Sequence, residues 1–360
     1  MPSNTFIFAA AGSGKTTTLV KKALQESRAN ILITTYTTEN IQNIKDIFVQ
    51  LNGVVPHNIT IRTWYSFLLA DMVRPFQNNL YTTHKITNME LVSGISALYT
   101  KETDIQKHYF NKHTQAIYSD KIAKFSYNSN KKGDNCYITR LEKCYSKIFI
   151  DEAQDLSGYD FELIELFLQS KMEIILVGDG RQATYKTHYS PKHKTKTSLY
   201  QWFKEWENKG WGKLEELRES YRCSAEICKF ADSFYPKLPS TISKNTKKVK
   251  HLGLFYIRPQ MLLAYYQKYH PQVLIYDKKS KNKAKGLPTI NFGMAKGKTK
   301  DRVLIIPNKI IDNYLASNDK SKVMNSCAKL YVAITRARYS VTFVTDVQVS
   351  VPELKEYSFN

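Results

Sequence analysis

Residues 6–16, Phe-Ile-Phe-Ala-Ala-Ala-Gly-Ser-Gly-Lys-Thr, leave this chain few ways to fold. Phe6-Ile7-Phe8 is a short apolar run of the kind that forms a buried strand, and an amphipathic pattern predicts a helix from the end of the turn to Leu24. Strand, small-residue turn and helix, in that order, are the setting of a phosphate-binding P-loop. Backbone N–H groups around Gly12, Ser13 and Gly14 can wrap phosphate oxygens, because residues with little side chain let a ligand come close. The helix dipole adds positive potential at the same place. In this reading Lys15 reaches the terminal phosphates of ATP, Thr16 gives its hydroxyl to Mg2+, and Thr17 follows on the same turn. Ala9 stands where the pattern usually has its first glycine. A strand-to-helix turn with incidental glycines is the competing reading, and it gives no account of Gly-Lys-Thr at the junction.

The charge balance points to a polyanionic partner. Lys and Arg number 53 against 32 Asp and Glu, a net charge of +21. Nucleic acid fits better than a membrane, since no basic helix with a broad apolar face is evident and no stretch is long enough to span a bilayer. Aromatic residues make up 12% of the chain, more than a Lys-rich composition serving solubility alone would need, and bases stack on such side chains. A length of 360 residues accommodates two domains, each with its own core. Cys136, Cys144, Cys223, Cys228 and Cys327 form no Cys-x-x-Cys pair, and His108/His113 and His188/His193 have no cysteines beside them, so zinc and iron–sulfur sites are not expected. Scattered cysteines and an N-terminal apolar run too short for a secretory leader give a cytoplasmic expectation.

Further strands follow the same logic. Ile31–Thr35 and Ile59–Arg62 read as strands that end in Tyr36-Thr37 and in Thr63-Trp64-Tyr65-Ser66-Phe67. Ligands bind at the carboxyl ends of strands in doubly wound sheets. Tyr36 and Phe67 could stack there on bases, while Thr37 and Thr63 could hold backbone phosphates; core packing is the alternative for Phe67. Residues from about 68 to 146 lack these signatures and show helical periodicity in pieces, Met89–Tyr99 and Ile105–Ile122, which predicts an inserted helical subdomain.

Next, Lys147–Ile150 leads into Asp151-Glu152-Ala153-Gln154-Asp155. Two carboxylates closing an apolar strand fit the second half of an ATPase site. Asp151 would balance Mg2+, and Glu152 would act as general base toward the attacking water. Gln154 and Asp155 fit sensors of the γ-phosphate and the neighbouring loop. Another strand, Glu173–Gly178, runs into Asp179-Gly180-Arg181-Gln182-Ala183-Thr184-Tyr185; Gln182 could reach the γ-phosphate and Tyr185 could stack on a base, with a basic stretch at 186–196 following.

Taken in order, these segments resemble motifs I to III of superfamily 1A helicases of the UvrD/Rep/PcrA type. The second half contains Leu217-Arg218-Glu219-Ser220-Tyr221-Arg222, Asn291-Phe292-Gly293-Met294-Ala295-Lys296-Gly297 and Lys329–Arg338, which resemble that family's motifs IV, V and VI. The resemblance covers nearly the whole chain. It implies an α/β fold of two RecA-like P-loop domains with parallel sheets: residues 1–205 with a helical insertion at about 68–146, then 206–348, then a tail at 349–360. It implies that Arg222 and Arg336 approach the γ-phosphate, that Gly297 belongs to the ATP site and that Lys296 contacts DNA. Strands Leu254–Ile257, Val273–Tyr276, Ile290–Phe292, Val303–Ile306 and Val341–Val344 would form the second sheet. Several family features have no counterpart here. Five residues precede Phe6, where the family has an adenine-reading Gln segment; Gly293 replaces a His, Tyr65 replaces another, Lys298-Thr299 replaces Leu-Glu, and a Lys-rich loop at 278–285 stands where the family has a second large insertion.

The function implied by the resemblance is an ATP-dependent DNA helicase or translocase, using ATP and Mg2+, moving 3′ to 5′ on single-stranded DNA or a tailed duplex. The alternative is a nucleic-acid-gated ATPase switch subunit that licenses a partner nuclease in DNA repair or phage defence. A P-loop kinase or GTPase has no use for Asp-Glu-Ala-Gln-Asp together with two arginine motifs.

Overall fold

In the computed structural model, which describes residues 3–183 and 198–359, the first apolar run becomes strand β1 (Thr5–Ala9), buried at every position. Helix α1 (Lys15–Leu24) lays Leu19, Val20 and Ala23 on the core. Strand β2 (Ile31–Thr35), helix α2 (Thr38–Asn52) and strand β3 (Ile59–Thr63) follow. Thr37 caps α2 by accepting the Asn40 N–H at 3.2 Å.

The insertion contributes helices α3 (Ile122–Lys132) and α4 (Cys136–Cys144), after which come β4 (Lys147–Ile150), α5 (Tyr159–Leu168), β5 (Glu173–Gly178), α6 (Leu199–Asn208) and β6 (Lys213–Leu217). These six strands form one sheet in the order β3-β2-β4-β5-β1-β6. Pairings β1–β5, β5–β4, β4–β2 and β2–β3 are all parallel. Asn4 anchors this sheet at the start of β1. It is buried, and its amide bonds the Leu168 and Trp211 carbonyls at 3.0 and 2.7 Å and the Ile174 N–H at 2.9 Å.

A second six-stranded sheet is built from β7 (Gly253–Ile257), β8 (Gln272–Ile275), β9 (Thr289–Asn291), β10 (Lys300–Ile306), β11 (Ala337–Val344) and β12 (Lys355–Glu356), in the order β9-β8-β10-β11-β7-β12. Every pairing in it is parallel. Helices α7 (Ala225–Asp232), α8 (Leu262–Tyr269), α9 (Lys309–Ser317) and α10 (Cys327–Ile334) cover it. The chain is thus α/β with two parallel sheets, the architecture of paired RecA-like domains. By its internal contacts it divides into two compact units. One comprises residues 3–8, 15–180 and 198–215, and the other 9–14, 181–183 and 216–359. Among the described residues no helix is long and apolar enough to cross a membrane.

Inside the insertion the structure departs from the periodicity. Leu91, Ile95 and Leu98 have helical spacing, but 91–104 is irregular, and Leu91, Leu98 and Tyr99 are 75%, 64% and 99% exposed. Gly94, at φ 110°, lies outside helical space, and Ser96 is drawn to Asp120 by its N–H at 3.0 Å and its hydroxyl at 2.6 Å. Met89–Glu90 instead pairs with Ile117–Tyr118 as a short parallel ladder. Nor is the predicted helix 105–122 continuous: it stops at Tyr109 and resumes with α3. The Lys-rich stretch is also ordered. Lys278–Ala284 is a 3-10 helix, started by Asp277 accepting the Ser280 N–H at 2.9 Å, and Lys283 pairs with Asp312 at 3.5 Å.

Candidate ATP site and nucleic-acid surface

Because β1 to β5 run parallel, Tyr36, Asp151 and Asp179 follow carboxyl ends of strands, and Thr63 closes one, all on one edge of the first sheet. In the first unit Thr16 Oγ1 donates to Asp151 Oδ2 at 2.9 Å, and Lys15 Nζ lies 2.7 Å from Glu152 Oε1. Asp151 is wholly enclosed. Burial, and then the neighbouring Glu152 charge, push its carboxyl up to about 6, against the opposing pull of Lys15. Two buried carboxylates facing an ammonium and a hydroxyl form a donor set suited to Mg2+ and phosphate. Thr16 and Asp151 would hold Mg2+ together with phosphate oxygens and water.

Glu152 is held in left-handed backbone at φ 57°, a conformation that costs a non-glycine residue about 1 kcal/mol or more. Its N–H donates to Asp151 Oδ1 at 2.9 Å, and Gln154 Nε2 donates to its carboxylate. Gln154 Oε1 in turn accepts the Asp179 N–H at 3.0 Å, linking the Asp-Glu turn to the end of β5. Gly178 makes room for this link, since a Cβ there would lie 2.6 Å from Gln154 Oε1.

The second unit holds the P-loop residues 9–14 and both arginines. Gly12 and Gly14 each sit at φ 76°. At Gly14 a Cβ would meet nothing within 4 Å, so backbone alone demands glycine; at Gly12 it would meet Arg222 Cβ at 2.6 Å. Ser13 Oγ is buried and has no hydrogen-bond partner among the described residues, which fits a ligand oxygen. Arg222 Nη1 donates to the Thr335 carbonyl at 3.2 Å. Arg336 is buried at 2% exposure, held by the Val332 carbonyl at 3.0 Å and by Gln182 Oε1 at 3.2 Å. So Gln182 and Arg336, read from motifs 154 residues apart, are brought into contact.

Residues 1–188 match the family model described as an AAA domain, and residues 103–345 match the one described as viral superfamily 1 RNA helicase core domain. The chain belongs to the superfamily 1 helicases. A curated relative, Gabija protein GajB of Bacillus cereus (strain VD045), is 29% identical over 192 residues, covering 51% of this helicase and 38% of GajB. Similar solved structures include the arterivirus nonstructural protein 10 helicase (15% identity, TM-score 0.47, 95% of this chain and 59% of that one). Its complex with DNA gives 15% identity and TM-score 0.48, over 96% of this chain and 60% of that one. The PRRSV helicase gives 17% identity and TM-score 0.44, over 95% and 52%. This helicase spans less than two thirds of the length of each of these relatives.

The residues predicted to contact nucleic acid fare unevenly. Tyr36 is half-buried, its ring edge-on to Tyr65 at 5.9 Å, and Thr37 is half-buried beside it. The Thr63 hydroxyl caps the Trp64–Phe67 turn by accepting the Ser66 N–H at 3.2 Å. Phe67 is fully buried and packs on Trp64 and Phe167, so here it belongs to the core and offers no face to a base. Lys296 is half-buried, and Gly297 is exposed at φ 82°. Tyr185 and the basic stretch 186–196 lie outside the described residues. Two groups escaped the sequence reading: Ser220, which bonds the P-loop, and the Thr335 carbonyl, which holds Arg222. Backbone acceptors leave no sequence signal. Ser220 carried one only through its place two residues before Arg222.

Proposed function

We propose that this superfamily 1 helicase is an ATP-driven motor of the UvrD/Rep/PcrA type that moves 3′ to 5′ on single-stranded DNA. The observation that supports the reading is the pairing of Lys15 with Glu152 and of Thr16 with Asp151 at 2.7 and 2.9 Å, a P-loop lysine and hydroxyl beside two buried carboxylates. Thr16 and Asp151 would hold Mg2+, which when bound neutralises phosphate charge. Lys15 would leave Glu152 for the terminal phosphates, and Glu152 would then orient and deprotonate water. Arg222, Arg336 and Gln182 would stabilise charge on the transferring phosphoryl group, as guanidinium groups do. Tyr36, Thr37, Thr63 and Lys296 would line the nucleic-acid path, with RecA-like domains at 1–205 and 206–348.

Steady-state ATP hydrolysis with and without single-stranded DNA or RNA, with Glu152→Gln as control, tests this reading. Stimulation by DNA that is lost in the control supports a DNA motor, and directional displacement of a roadblock then checks polarity. Stimulation by RNA alone transfers the reading to an RNA motor, consistent with the wording of the viral family match. A second reading is a nucleic-acid-gated switch that licenses a partner nuclease in repair or defence. Hydrolysis absent until a partner protein is added would favour it.

A further inference from the structure

Ser220 is a fully buried hydroxyl at the point where the P-loop meets the Arg222 turn. Its Oγ donates to the Ala11 carbonyl at 2.7 Å and accepts the Cys223 N–H at 3.3 Å. One residue on, the Tyr221 N–H donates to the Gly12 carbonyl at 3.0 Å, and the Leu217 carbonyl accepts the Ala10 N–H at 2.8 Å. The Arg222 turn is braced from its other side as well, by Asn245 Nδ2 on the Arg222 carbonyl at 2.7 Å and by Ser243 Oγ on the Cys223 carbonyl at 2.8 Å.

A trans peptide is planar, and its C=O and N–H point in opposite directions. Holding the Ala11 carbonyl therefore aims the Gly12 N–H, and holding the Gly12 carbonyl aims the Ser13 N–H. These are the amides that a phosphate cradle uses. The contact has no slack, because a Cβ at Gly12 would sit 2.6 Å from Arg222 Cβ and 2.9 Å from Ser220 Oγ. One oxygen thus serves both the P-loop and the turn that carries Arg222.

We propose that Ser220 is a positioning residue that sets the P-loop amides and Arg222 in one register, so that the site distinguishes ATP from ADP by its γ-phosphate. The proposal rests on the reading of Arg222 as a γ-phosphate contact. Ser220→Ala should reduce the preference for a non-hydrolysable ATP analogue over ADP about tenfold, the scale of one net hydrogen bond, with ADP affinity changed less than about threefold. Hydrolytic kcat should fall by a similar factor. In an Arg222→Ala background the same substitution should cost much less of both quantities, because one of the two groups it positions is gone and only the P-loop amides remain to be disturbed. Ser220→Cys, which is slightly larger and weakens the donor, carries the same comparison if the alanine variant does not fold. Equal losses in both backgrounds, or full retention of ATP preference, would overturn the proposal while leaving the ATP site standing. Failure of the unaltered protein to bind either nucleotide would remove the site and the proposal together.

Discussion

Glu152 occupies backbone that a side chain avoids, with Lys15 on one carboxylate oxygen and Gln154 on the other. Its strain is local and is held by buried partners, an arrangement that would keep the proposed base aimed. Lys15→Ala should lower ATP hydrolysis by at least about a hundredfold, as removal of one transition-state donor does elsewhere, and should leave salt-sensitive nucleic-acid binding largely intact. Filter binding alongside a phosphate-release assay reads both; hydrolysis surviving in that variant would move the ATP site elsewhere. Phe67 shows where a residue type misleads. An aromatic at a strand end looks like a stacking platform, yet the Trp64 indole beside it donates to buried Asp160 at 2.7 Å, and the whole turn folds inward. What separates Tyr36 from Phe67 is burial, which neither residue's own chemistry specifies.

At the scale of elements, the insertion is tied to the first sheet by one buried carboxylate. Asp71 takes Arg62 from β3 at 2.6 Å and Arg140 from α4 at 3.2 Å. It lies in a π-helical stretch, Leu68–Val73, just before Pro75, whose missing N–H leaves the Asp71 carbonyl to Arg140 at 3.3 Å. Asp71→Ala removes the carboxylate from between two half-exposed guanidinium groups and should lower stability by about 2 kcal/mol, read from urea midpoints; a loss below about 0.5 kcal/mol would deny the clamp its role. In the second sheet's layer His251 is stacked between Phe255 and Tyr269, each at 4.2 Å, and bonded to the Tyr265 hydroxyl at 2.6 Å. Burial, then Arg302 and Lys268, push its imidazole down to about 4, with Tyr357 completing the surroundings. The folded state therefore binds fewer protons than the unfolded one below about pH 6.5, where a free imidazole titrates. The contribution of neutral His251 should be full above that pH and be lost as pH falls toward 4. His251→Phe keeps the stack and should flatten this slope in pH-dependent unfolding.

For the molecule as a whole, the net charge of +21 dominates long-range behaviour. Binding to single-stranded nucleic acid should weaken linearly in log salt, with a slope of about −0.7 per phosphate neutralised. Lys296→Ala should make that slope shallower by roughly one contact, and an unchanged slope would take Lys296 off the path. Not every lysine is available for such contacts. Lys283 is paired with Asp312, and Lys285 donates to the Pro259 carbonyl at 3.0 Å, so formal charge overstates the number of phosphate contacts.

The positions of the strands and of the P-loop turn were legible because they depend on local pattern. Apolar runs of parallel strands buried on both faces, and turns of Gly, Lys and Thr that follow them, state their structure without reference to the rest of the chain. Gly12 was legible as a glycine, but its packing reason, Arg222 Cβ at 2.6 Å, lies 210 positions away. Leu91, Ile95 and Leu98 kept helical spacing and still formed no helix, because periodicity records which faces could be buried and not whether a partner surface covers them. Only the tertiary structure decided which aromatics are core, which carbonyl anchors each arginine, and that Ser220 bonds the P-loop. Those outcomes depend on long-range contacts between backbone and side-chain atoms, and a backbone carbonyl is the same in every residue.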